Sequence, residues 1–149
     1  MSDIVLPNRI FFEDVCRRLE QKRSVKIRIS GQSMSPFLRD GKDFAVLSAL
    51  PSGYRFRKGD VLLFVYGGQH VVHRLHRIHG KTLYMKGDHQ NRWEIIHPDD
   101  VRGWVSCVQF ANGRRVHART LLWKILTLRS RMNRMRKNFN HKIKRISGL

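Results

Sequence analysis

The spacing of apolar and polar residues changes several times along this chain. From Pro7 to about Arg23 the apolar positions recur at helical spacing, with Phe11, Val15 and Leu19 four apart and Glu13, Arg17 and Glu20 on the other side. That period predicts an amphipathic helix covering one side of a domain. It drops to two in Val25-Lys26-Ile27-Arg28-Ile29, which predicts a strand. Short apolar runs follow at Phe44–Leu47, Asp60–Tyr66, Thr82–Met85 and Val101–Phe110, divided by Pro51-Ser52-Gly53, Gly67-Gly68, Gly80-Lys81 and Asn112-Gly113. These dividers are turn chemistry. Gly67-Gly68 predicts a hairpin returning along His70–Ile78, and Asn112-Gly113 leads into a last strand over Arg114–Ala118. The expected fold is mainly β, a coiled and partly closed sheet with an N-terminal helix.

Helical spacing returns after Ala118. Leu121, Ile125, Leu128, Met132, Met135, Phe139 and Ile143 or Ile146 form one apolar stripe, which predicts a long C-terminal helix. Charge sharpens that picture. The formal net charge is +19, and residues 119–149 contribute ten Lys or Arg and no acid. The chain is therefore expected to divide into a β domain, 1–118, and a basic amphipathic tail, 119–149. In the tail, Arg129, Arg131, Arg134, Arg136 and Lys137 are the expected contacts to an anionic membrane surface, with nucleic-acid phosphates as the rival partner.

With 149 residues the chain has one domain's length. No window approaches the roughly 18 apolar residues of a spanning helix. Cys16 and Cys107 match no metal or disulfide spacing. A cytoplasmic protein, peripheral at most on the inner membrane face, is the expectation. His70, His73, His76 and His79 recur every third residue, but on a strand they divide between two faces, so no metal centre and no cofactor is expected.

One segment carries distinctive backbone chemistry: Ser30-Gly31-Gln32-Ser33-Met34-Ser35-Pro36-Phe37-Leu38-Arg39-Asp40-Gly41. Gly31 permits an unusual φ, Pro36 fixes one, and Asp40-Gly41 supplies a closing turn. Ser33 would sit at a rigid turn with open space before it. A serine oxygen needs a base within hydrogen-bond reach to act as a nucleophile, so this segment demands a partner elsewhere.

Further along stand Lys58-Gly59-Asp60 with its apolar strand, His73-Arg74, and Gly87-Asp88. Together with the serine segment, and in this order from about Ile29 to Val108, they resemble the signal peptidase I family and the related LexA-like self-cleaving peptidases. A histidine before Arg74 looks like the endoplasmic-reticulum-type branch. The resemblance implies a serine endopeptidase acting on an extended leader or signal-like peptide. In it Ser33 would be the nucleophile, His73 the base and Asp88 the acid that orients His73, with Glu94, Asp99 and Asp100 as weaker candidates for that acid. It further implies main-chain oxyanion donors at Ser33, since Gly31 stands where many signal peptidases carry Ser or Thr, and a groove lined by Met34, Pro36 and Phe37. The competing expectation is a basic membrane- or nucleic-acid-binding module whose protease site is vestigial or cuts only its own chain.

Overall fold

The computed structural model describes residues 8–147. Helix α1 (Asn8–Glu20) is followed by strands β1 (Val25–Arg28), β2 (Phe44–Ser48), β3 (Val61–Tyr66), β4 (Gln69–His79), β5 (Thr82–Lys86) and β6 (Glu94–Ile96). After a single 3-10 turn, β7 (Val101–Gln109) and β8 (Arg115–His117) lead to helix α2 (Leu121–Ser147). Pro7, the expected first residue of α1, lies outside the described residues. The mainly β architecture with a helix at each end is as expected from the sequence.

The eight strands form one sheet in the order β1-β2-β7-β3-β4-β5-β6, with β8 paired to β7. Every pairing is antiparallel. The sheet does not close, and β1 and β6 are its ends. Strand β3 lies near the middle, and Val61, Leu62, Leu63 and Phe64 are all fully buried. This explains why that run is continuously apolar rather than alternating: both of its faces are covered. Val61 and Leu63 join a core with Val15 and Leu19 of α1, Ala45 and Leu47 of β2, and Trp123 of α2. Leu62 and Phe64 join Leu75, Leu83, Met85, Ile96 and Val101 on the opposite face.

The serine segment is a closed loop between β1 and β2. Ile29 N–H donates to the Asp43 carbonyl and Gly41 N–H to the Ile29 carbonyl, while Gly31 N–H donates to Asp40 Oδ1 at 2.9 Å. Gly31 has φ +86°, in the left-handed region that a side chain would strain. The loop also rests on Asp43, a fully buried carboxylate. Its oxygens accept from the Arg39 main chain and guanidinium and from Ala111 N–H.

Only part of α2 behaves as a free tail. Arg119, just ahead of it, donates Nε and Nη2 to the buried Asp60 at 3.0 and 2.8 Å. Thr120 Oγ1 then accepts from Trp123 N–H at 3.3 Å, a cap for the first helical turn. Trp123 is buried and meets Phe37 edge-on at 5.0 Å, Leu122 and Leu126 pack on the same core, and Ser130 is buried. The 118/119 boundary thus falls inside a packed region. From Leu121 through Phe139 the expected apolar stripe points away from the domain: Leu121, Ile125, Leu128, Met132, Met135 and Phe139 are all at least half exposed. Among the described residues no helix is long and apolar enough to cross a membrane.

Candidate active site

A cleft of about 490 Å³ opens between α1, the end of β1, the serine loop and the first half of β4. Ser33 and His73 both line it, although they stand far apart in the sequence. The β3–β4 hairpin pairs His73 with Leu62 and Arg74 with Val61, so the two neighbouring side chains leave β4 on opposite faces. His73 is 5 % exposed.

Gly87 sets how closely these groups approach. A Cβ there would stand 2.6 Å from the Ser33 carbonyl oxygen and 3.0 Å from His73 Nε2. Both groups therefore press against one bare Cα, and no side chain could be added without displacing main chain. Two residues on, His89 N–H donates to the Ser33 carbonyl at 2.8 Å. The segment after β5 thus holds the serine turn against the histidine.

His73 Nδ1 is 2.8 Å from Glu94 Oε1, and both side chains are buried. A carboxylate can only accept, so Nδ1 carries the proton and Nε2 is left as an acceptor. Burial pushes the His73 imidazole below its usual value, outweighing the opposing pull of the Glu94 and Asp88 carboxylates. A neutral imidazole results, held by its far nitrogen. The second Glu94 oxygen, Oε2, is buried without a hydrogen-bond partner among the described residues.

Here the sequence expectation needs correction. Asp88, expected to orient His73, is instead joined to Arg74: Nε to Oδ1 at 2.8 Å and Nη2 to Oδ2 at 2.9 Å. Arg74 also donates Nη1 to the Gly59 carbonyl and to Thr127 of α2, and its guanidinium lies 4.5 Å from the centre of the Phe37 ring. A planar fork that meets a carboxylate with two bonds is the preferred geometry for arginine, so Asp88 is spoken for. Neither of the two remaining acids lines the cleft. Asp100 accepts from His97 N–H at the start of the 3-10 turn, and Asp99 is nearly fully exposed.

The expected groove residues separate as well. Met34 lines the cleft. Phe37 is a core residue under Trp123 and Arg74, and Pro36 lines two small depressions against α2 rather than the cleft. Walls the sequence did not assign come from Phe11 and Phe12 of α1, from Ile27 and Ile29, and from Val71 and Val72 of β4. For the residues of α1 the amphipathic period was the available signal. Arg134, expected as an anion contact, donates to the Asp88 and Gln90 carbonyls at 3.1 and 2.6 Å and also to Asn91 Oδ1. It anchors the segment that carries Asp88 and is not a free surface charge. Arg129, Arg131, Arg136 and Lys137 are exposed, and Lys137 lines a small depression with Pro36 and His89.

No known protein family matches this chain, and no curated protein matches it either.

Proposed function

We propose that this protein is a serine endopeptidase of signal-peptidase type, cytoplasmic, acting on an extended leader or signal-like segment. The observation that carries the reading is a buried histidine whose Nδ1 is held by Glu94 and whose Nε2 lies against Gly87 beside the Ser33 main chain. A histidine oriented through Nδ1 and placed beside the serine turn supports a general-base role for Nε2.

In this reading Ser33 Oγ attacks the peptide carbonyl while His73 Nε2 takes its proton, and the imidazolium so formed is stabilised by Glu94. The negative charge that develops on the carbonyl oxygen is met by main-chain N–H at Ser33, since Gly31 offers no side-chain donor. Collapse breaks the C–N bond, and Nε2 returns the proton to the leaving amine. Water then attacks the acyl-Ser33 ester with His73 again as base, releasing the acid and restoring the serine. Substrate would lie between the Ile27–Ser30 segment and the His70–His73 segment, which face each other across the cleft, with main-chain pairing along β1, an end strand of the sheet.

The experiment is covalent labelling with a fluorophosphonate probe. Wild type should be labelled, while Ser33→Ala and His73→Ala should not. Equal labelling of all three proteins would remove the peptidase reading.

A further inference from the structure

Helix α2 has two faces with different business. Leu122, Trp123, Leu126, Ser130 and Arg134 turn toward the β domain. At about 100° per residue, Leu121, Ile125, Leu128, Met132, Met135 and Phe139 fall on the opposite side. They are exposed there, Met132 to 67 %, Met135 to 71 % and Phe139 to 64 %. An unbroken apolar line of this length on the outside of a folded domain is more than scattered surface hydrophobes.

The charges beside that line say what it meets. By the same helical geometry Lys124, Arg131 and Lys142 border it on one side and Arg129 and Arg136 on the other, with no Asp or Glu from 119 to 149. We propose that this outer face of α2 lies flat on an anionic lipid surface, its apolar line entering the acyl boundary and its flanking bases meeting the headgroups, with the β domain seated above. An in-plane position suits a helix too charged to cross a bilayer. A second copy would bring the same cationic borders together. Nucleic acid would use the bases but leave the apolar line in water. Ser33 and His73 play no part in this proposal, so it stands or falls separately from the peptidase reading.

The test is sedimentation of the full-length protein with vesicles of pure phosphatidylcholine and of phosphatidylcholine mixed equally with phosphatidylglycerol. Binding should be strong only to the mixture. The charge-neutral variant Leu128→Gln/Met132→Gln/Met135→Gln alters exposed positions and should keep its circular dichroism while binding at least roughly tenfold more weakly. Arg129→Gln/Arg136→Gln should lose the preference for the anionic mixture. Undiminished binding by the triple variant would reduce the interaction to bulk charge and overturn the proposal. So would tighter binding to a single-stranded RNA oligonucleotide that displaces the vesicles, or self-association in lipid-free solution that the triple variant abolishes.

Discussion

Arg74 and Asp88 are joined by two parallel hydrogen bonds of 2.8 and 2.9 Å, with the arginine 2 % exposed. This pairing engages the first acid that follows His73 in the sequence and leaves the histidine to Glu94, which reaches it from β6. Two buried side-chain pairs thus start from adjacent residues of β4, one serving the scaffold and one serving the candidate base.

Glu94→Gln should lower the rate of probe labelling by about 10²–10⁴-fold, because an amide neither stabilises imidazolium nor enforces the Nδ1–H tautomer. The pH profile supplies a second readout. The unprotonated imidazole is the active form, and burial holds its pKa below the usual 6.5, so labelling should be level through neutral pH and fall only below that value. The Glu94 charge pulls the pKa upward, so without it the acid limb of the variant should move to still lower pH. A limb that moves upward would contradict this role for Glu94.

Asp88→Asn should act on stability. It leaves the Arg74 guanidinium buried without its counter-charge, a loss of about 3–5 kcal/mol measurable by urea unfolding. In whatever fraction remains folded, the acid limb of labelling should also move to lower pH, but by less than in Glu94→Gln, because Asp88 pulls on His73 less than Glu94 does.

Gly87→Ala would place a methyl group 2.6 Å from the Ser33 carbonyl and 3.0 Å from His73 Nε2. Since the first of these is main chain, the serine turn and the histidine must separate. The expected result is loss of probe labelling by more than roughly tenfold with the sheet's circular dichroism retained, given the sensitivity of such reactions to displacements of about 1 Å.

Arg134→Ala releases the Asp88 and Gln90 carbonyls from α2. His89, between them, holds the Ser33 carbonyl, so loosening should reach the serine turn. Faster hydrogen exchange over residues 88–91 and a several-fold slower labelling rate are expected. Unchanged exchange there would show that α2 does not brace this segment.

Much of this was legible before any coordinates. The Gly31 turn, the Gly67-Gly68 hairpin, the apolar run of β3 and both helices are read from neighbours a few residues apart, and local preference decides them. Ser33 and His73 were singled out through the motif order that resembles a peptidase family, and the fold brings both to one cleft. The choice of acid was not. Glu94 sits on a three-residue strand too short to show a period, and it reaches His73 because β5 pairs with both β4 and β6, setting Met85 opposite Leu75 and Glu94. The helical tail divides in the same way. Its apolar period was visible in the sequence, but that period marked the outward line, while the docked face is a mixture of Trp123, Leu126, Ser130 and Arg134. Spacing along a chain determines which residues share a face; which partner that face meets depends on the register of strands and helices distant in sequence, and only the folded molecule decides that.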